Sequence, residues 1–231
     1  MYREGKPMRK IIKVLMVDDH PLIVEGYKNI ILKIENSEQQ IRFESANNLK
    51  QAYQKINQSL NSSKHFDLAF LDINLPEYEE KMILSGEDLA LFIRKVSPLT
   101  KIIFLTMHSE NYRLYNIVRN VNPEGLLIKS DVDSKDIINT FNSVQDEKLS
   151  YSDTVLKLMR YQITNNFLLD QFDRQILFHI SRGVQTKKLT DVIPLSLPAI
   201  EKRKRNLKKY FGLDKEGDLL LVRKAKELGF L

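Results

Sequence analysis

The sequence predicts an α/β protein: a doubly wound, five-stranded parallel sheet joined to a small all-α domain. Three observations carry this. Residues 11–144 alternate short apolar runs with longer amphipathic stretches, the pattern of strands crossed over by helices. After residue 168 the amphipathic stretches continue, but no strand pattern recurs. Charge divides near the same place: residues 151–231 hold 16 Lys and Arg against 9 Asp and Glu, whereas the first 150 hold 20 against 21. A basic third beside a near-neutral remainder implies two domains, one of which meets a polyanion.

The elements follow in order. The run IIKVLMV, 11–17, is the first strand, and the helix after it, 21–34, opens on Pro21, which suits a first turn because proline has no N–H to leave unpaired. A strand at 41–45 precedes a helix at 49–59. LAFL at 68–71 is the third strand, followed by a helix at 86–96. The pairs 102–105 with 112–120 and 126–128 with 134–144 complete the sheet. Residues 145–168 are polar with an amphipathic middle and read as a partly helical linker. Helices are expected at 170–182, 186–192, 198–211 and 215–228. The expected domains are 1–147 and 168–231, with 148–167 between them.

Composition narrows the chemistry. The chain has no cysteine, which removes disulfides, thiolate metal sites and a thiol nucleophile. No uncharged apolar run approaches the ~18 residues that span a bilayer. The apolar stretch near the N-terminus is too short for a signal peptide and lacks a small-residue cleavage site. A cytoplasmic location without membrane attachment is expected.

In a parallel sheet, ligands bind beyond the carboxyl ends of the strands. Strand one ends in Asp18 and Asp19, strand three in Asp72, strand four in Thr106 and strand five in Lys129. A buried, unpaired carboxylate costs several kcal/mol, so Asp72, closing an apolar run, needs a partner. Crowded carboxylates repel unless a cation joins them, and hard oxygen ligands describe a Mg²⁺ site. Lys129 and Thr106 add the ammonium and hydroxyl wanted around phosphoryl oxygens. Asp72 thereby becomes a candidate nucleophile for a phosphoryl group. An Asp–Asp pair after a strand is also an ordinary turn; the ordered set of five is the stronger signal. His20 and His108 flank these groups, but imidazole suits zinc or copper better than magnesium, so neither is expected as a ligand.

VLMVDDHPLIVEGY, FDLAFLDINLP, IIFLTMH and GLLIKSD resemble the receiver domain of bacterial two-component response regulators, over roughly residues 10–147. The resemblance implies a flavodoxin-like fold and phosphorylation of Asp72 by a sensor histidine kinase. It implies Mg²⁺ held by Asp19, Asp72 and the backbone carbonyl of Asn74, with Asp18 assisting through water. Thr106 and Lys129 would follow the phosphoryl group. DDHPL, TMH and Ser130 in place of a proline look most like the NarL/FixJ branch. There are two departures: Leu126 stands where the family usually carries an aromatic switch residue, and the loop EYEEKMILSG before Gly86 is several residues longer than usual.

The basic end has a short helix, a turn and a longer helix, the helix-turn-helix plan. Ser196 is a natural N-cap and Pro198 fits the first turn. Ile200, Leu207 and Phe211 make one apolar face. A solvated basic face would read the same way, but the surrounding landmarks resemble the LuxR-type DNA-binding domain over 168–231: Leu169, Asp173, Ile176, Gly183, Leu189, Ser196, Ile200 and Asn206. The resemblance places Glu201, Lys202 and Arg205 where relatives read bases. Lys188, Arg203 and Lys209 are the expected phosphate contacts. Phe172, Thr190, Ala199 and Arg203 depart from the usual residues.

The expected function is that of a response regulator in which phosphorylation of Asp72 switches DNA binding and transcription, with a homodimer forming on phosphorylation and RNA polymerase a further partner. Two rivals stand beside it. A haloacid dehalogenase-type phosphatase also uses a strand-end aspartate and Mg²⁺. It wants a second aspartate two residues on, where Asn74 stands, and a neutral amide cannot carry that proton transfer; the chain is expected not to be an enzyme. The other rival is a phosphorylation-independent transcription factor whose receiver is a dimerisation scaffold, which Leu126 keeps open.

Overall fold

A computed structural model describes residues 9–36, 38–62, 64–107, 111–161, 169–213, 216–228 and 230–231, with the backbone alone at 111–112 and 160–161. His108 lies outside the described residues. The chain forms two compact units, Met1–Met107 with Val121–Lys157, and His108–Asn120 with Leu158–Leu231.

The first unit is built on a parallel sheet of β1 (Lys10–Val17), β2 (Gln39–Ala46), β3 (Leu68–Leu71), β4 (Lys101–Thr106), β5 (Gly125–Ile128) and β6 (Ser150–Tyr151), in the order β2-β1-β3-β4-β5-β6. Strand order reverses after β1, so β1 and β3 flank the crevice where such sheets bind ligands. The helices of this unit include α1 (Pro21–Leu32), α2 (Leu49–Asn61), α3 (Gly86–Val96) and α5 (Ser134–Gln145).

Side chains alternate across a strand, and the sequence obeys this. Ile12, Val14, Met16, Leu68, Phe70, Ile103, Leu105 and Leu127 pack with Val24 and Ile31 of α1 and with Ile137, Phe141 and Val144 of α5. The residues between them, Leu15, Val17, Ala69, Leu71, Phe104 and Leu126, are buried too. Central strands covered on both faces read as unbroken apolar runs, which is why β3 is all apolar.

Helix starts are set by side chains. The Asn48 side chain accepts from Gln51 N, Ser85 accepts from Asp88 N, and Asp133 and Asp136 form a reciprocal capping box. Each satisfies amide groups that a helix N-terminus leaves unpaired.

Five strands stand where the sequence predicts them; the sixth is an addition. Two residues of the expected linker, Ser150 and Tyr151, pair with Gly125 and Leu126. Two residues carry no period, and the pairing comes from the neighbouring edge rather than from local pattern. The linker continues into α6 (Asp153–Tyr161), its amphipathic middle. The long loop after Pro76 is ordered. Tyr78 bridges Ile83, and a 3₁₀ turn (Glu79–Lys81) joins them. The Tyr78 ring meets Tyr53 of α2 edge-on at 5.7 Å.

In the second unit, α7 (Gln171–Ser181), a 3₁₀ segment (Thr186–Asp191), α8 (Leu197–Tyr210) and α9 (Asp218–Glu227) enclose a core of Leu169, Ile176, Leu189, Ile200, Leu207 and Leu221 among others. The expected helix at 186–192 is thus a 3₁₀ segment. Gly183 ends the preceding turn at φ 80°, a conformation that glycine adopts without steric cost. Helix α4 (Asn111–Val121) contributes most of its residues to this unit. Its Asn116 Oδ1 accepts from Leu169 N at 2.7 Å and its Asn120 Nδ2 donates to Leu169 O at 2.7 Å.

Candidate functional site

The carboxyl edge of the sheet brings the predicted acid and lysine together. Lys129 Nζ donates to Asp18 Oδ2 at 2.6 Å and to Asp72 Oδ2 at 2.8 Å. All three side chains are nearly buried, at 5%, 5% and 8% exposed. Burial opposes the charge on Lys129, but the bonds to Asp18 and Asp72 prevail and hold its pKa above the usual lysine value. A charge-assisted triad in a low-dielectric setting is stable only when all members are present.

Asp72 is held at its other oxygen as well, since Ile73 N donates to Oδ1 at 2.6 Å. Gly86 lies against it from α3: a Cβ there would stand 1.9 Å from the Asp72 carbonyl oxygen. The missing side chain therefore lets the N-terminus of α3 close over the phosphoacceptor candidate. Gly86 N donates to Ile73 O at 2.9 Å. A role for Gly86 is not visible in the sequence, because its constraint is a contact with a residue 14 positions away.

Asp18 Oδ1 accepts from His20 N at 2.9 Å, and His20 Nδ1 lies 2.8 Å from Asp19 Oδ1. Ligand atoms of Asp18, Asp19 and His20 all fall within 4.8 Å of one another. Asp19 and His20 are open to solvent while Asp18 is buried. The oxygen donors are of the hard type that Mg²⁺ takes, so the residues present fit that ion.

Thr106 ends β4 fully buried, and its carbonyl accepts from Lys129 N at 2.7 Å. Asn74 is exposed, two residues past Asp72. Tyr27 of α1 feels the same cluster. Burial raises its pKa, and the charges of Lys129, Asp18 and Asp72 act on it as well. Nothing in the sequence ties Tyr27 to the acids.

In the second unit, α8 buries Ile200, Lys204 and Leu207 and leaves Glu201, Lys202, Arg205, Asn206 and Lys209 exposed; Lys188 of the 3₁₀ segment is exposed too. Lys204 Nζ donates to Asp218 Oδ2 at 2.6 Å and Lys208 Nζ lies 3.1 Å from Asp218 Oδ1. Burial pushes the Asp218 carboxyl up, yet the bonds from both lysines outweigh it and hold its pKa low. Arg203, expected at a phosphate, instead points Nη1 at Asp170 Oδ2, 2.8 Å, and Asp173 Oδ1, 2.9 Å. Those two acids are the capping box of α7, and the guanidinium lies over the Phe172 ring at 5.5 Å. The departures at 172 and 203 are therefore in contact with each other. Ser196 occupies the N-cap position but makes no cap hydrogen bond. One of the amides that it would serve belongs to Pro198, which has none.

Comparison with known proteins decides the family. The response regulator receiver domain family matches residues 14–140. This chain belongs to that family. The regulator is 24% identical over 214 residues to the transcriptional regulatory protein MctR of Rhizobium johnstonii, covering 92% of each chain. It is 21% identical to the oxygen regulatory protein NreC of Staphylococcus carnosus, covering 94% of this chain and 99% of the relative. Among solved structures, RcsB from Salmonella enterica serovar Typhimurium, bound to the promoter rprA in the presence of phosphomimetic BeF3⁻, matches with a TM-score of 0.64 at 18% identity, over 94% of this chain and 99% of that one. Matches that run the length of such regulators identify a NarL/FixJ-type response regulator, with a receiver followed by a helical domain. The expected fold class is the observed one, a flavodoxin-like receiver with a helical C-terminal domain.

Proposed function

We propose that Asp72 accepts a phosphoryl group from a sensor histidine kinase, and that this switches DNA binding and transcription regulation by the C-terminal helices. The observation that carries the reading is the Lys129 ammonium joining Asp18 and Asp72 at the sheet's carboxyl edge. A carboxylate oxygen of Asp72 attacks phosphorus as the bond to the donor histidine breaks. Lys129 then offsets charge on the phosphoryl oxygens, and the Thr106 hydroxyl supplies a hydrogen bond. Mg²⁺, held by Asp19, Asp72 and the Asn74 carbonyl with Asp18 assisting through water, would supply Lewis-acid stabilisation of those oxygens. The exposed acid at Asp19 and the buried one at Asp18 suit an ion reached from solvent.

The receiver is assigned to 1–147, the linker to 148–167 and the DNA-binding domain to 168–231. Glu201, Lys202 and Arg205 read bases in the major groove, and Lys188 and Lys209 neutralise phosphates. Arg203 orients α8 on the start of α7. The protein acts in the cytoplasm on double-stranded DNA as a phosphorylation-dependent homodimer, and contacts RNA polymerase. Among the described residues no helix is long and apolar enough to cross a membrane. The relatives are named as regulators, in keeping with a chain that is not an enzyme.

One observation favours a second reading, a receiver that serves only as a dimerisation scaffold: Leu126 is aliphatic and fully buried. The test is incubation with a small-molecule phosphodonor, with and without Mg²⁺, followed by intact-mass measurement on wild type and Asp72→Asn. Mg²⁺-dependent uptake in wild type alone supports the switch. No uptake with any donor sinks it in favour of the scaffold.

A further inference from the structure

Strand β6 is a clasp between the linker and the part of the sheet that carries Lys129. Ser150 N donates to Glu124 O at 2.8 Å and Ser152 N to Leu126 O at 3.0 Å. The Tyr151 hydroxyl donates to Pro123 O at 2.8 Å, and the Ser150 and Thr140 hydroxyls share a hydrogen bond of 2.8 Å. The last contact is the longest: Ile128 N donates to Ser152 Oγ at 3.3 Å. Ile128 immediately precedes Lys129 and pairs in register with Thr106 on β4. The two residues that answer a phosphoryl group are thus the chain neighbour and the strand partner of the residue that the linker grips. Leu126, which has no ring to rotate, is itself paired with Tyr151.

We propose that Ser150–Ser152 is the receiver's output contact, paired to β5 while Asp72 is free and released when Asp72 is phosphorylated. The inference rests on the reading of Asp72 given above. A two-residue strand has few bonds to lose and belongs to the low-stability end of local opening. The Ile128–Ser152 bond, at 3.3 Å, is the longest of the set and joins the linker to the residue next to Lys129. Phosphorylation removes Lys129 from its bridge between Asp18 and Asp72, and movement of Lys129 and Thr106 displaces the Ile128 N–H from the hydroxyl. Release then changes the conformation of the stretch of chain that runs from α5 into α6 and on to the C-terminal helices. The effector shifts a paired and an unpaired population by its different affinity for the two.

The experiment is hydrogen–deuterium exchange on the full chain, reading peptides across residues 146–156. Phosphodonor and Mg²⁺ are present or absent, and intact mass records phosphorylation in the same samples. The expected result is exchange of the Ser150 and Ser152 amides about tenfold faster in the phosphorylated protein, with no change in Asp72→Asn. Phosphorylated protein with unchanged or slower exchange there overturns the clasp and leaves the phosphoacceptor reading standing. Absence of phosphorylation overturns both. In a second arm, Ser150→Pro removes the donor to Glu124. Its unphosphorylated form is expected to bind a fluorescent random-sequence duplex as tightly as phosphorylated wild type. Ser152→Ala deletes only the hydroxyl, and serves if the proline variant does not fold; it is expected to narrow the difference between the two states. Full retention of the wild-type dependence in a folded variant also overturns the clasp.

Discussion

At the scale of single residues, the site depends on one cation shared by two buried acids. Lys129→Met leaves Asp18 and Asp72 facing each other without it. Phosphoryl uptake is expected to fall about 10²-fold, the usual loss for one preorganised charge-stabilising group; initial rates with a small-molecule donor measure it. Gly86→Ala puts a methyl group onto the Asp72 carbonyl oxygen, 1.9 Å away. Backbone must move, so the variant is expected to lose about 1–3 kcal/mol in urea unfolding and to be phosphorylated more slowly. Gly26→Ala, with nothing within 4 Å, is the control that should show neither effect. Asp218 has the opposite character, a structural acid between two lysines. Its pKa in the folded chain lies below the ordinary 3.8. The stability it contributes is therefore present above that value and lost as pH falls through the lower folded one. Asp218→Asn removes it. Urea unfolding midpoints of the two proteins should differ near neutral pH and converge as pH drops below about 4, and a pH-independent difference would contradict the assignment.

At the scale of elements, amphipathic faces and caps explain most of the fold. Helix α5 buries Phe141 completely against the sheet, and Phe141→Ala is expected to cost about 3–5 kcal/mol, read as a lower urea midpoint without loss of slope. Helix α8 has two kinds of basic residue that composition cannot tell apart. Lys202 is exposed, whereas Arg203 is tied to the α7 capping box. Lys202→Ala should weaken binding to a DNA duplex. If Arg203 serves to hold α8 to the α7 capping box, Arg203→Gln should lower the melting temperature and leave the slope of affinity against salt unchanged. A slope reduced by about one in Arg203→Gln would return it to the phosphate contacts.

At the scale of the whole molecule, the two units have different currencies. The first is a sheet covered by helices, with charge buried at one edge; the second is a small helical core carrying most of the surplus positive charge. The strand ends were legible because a parallel sheet collects its carboxyl ends on one edge, so Asp18, Asp72, Thr106 and Lys129 converge once the strands are identified. The 3₁₀ segment and β6 were not legible. Thr186–Asp191 carries no signal that separates a 3₁₀ turn from a helix, and its Leu189 packs in one core with Ile200 and Leu207 of α8. Ser150–Tyr151 has no pattern of its own, and its pairing exists because β5 presents a free edge. The loop after Pro76 was visible as an insertion, but its seat on Tyr53 was not.

The sequence by itself determined the alternation of strands and helices, the acids and lysine at the strand ends, and the basic helical end. These follow from periodicity and from chain order, which local residues specify. Tertiary structure alone decided which atoms meet: Lys129 with both Asp18 and Asp72, Gly86 with the Asp72 carbonyl, Arg203 with Asp170 and Asp173, and Ser152 with Ile128. Each joins residues from separate elements, and a one-dimensional pattern holds no term for the distance between them.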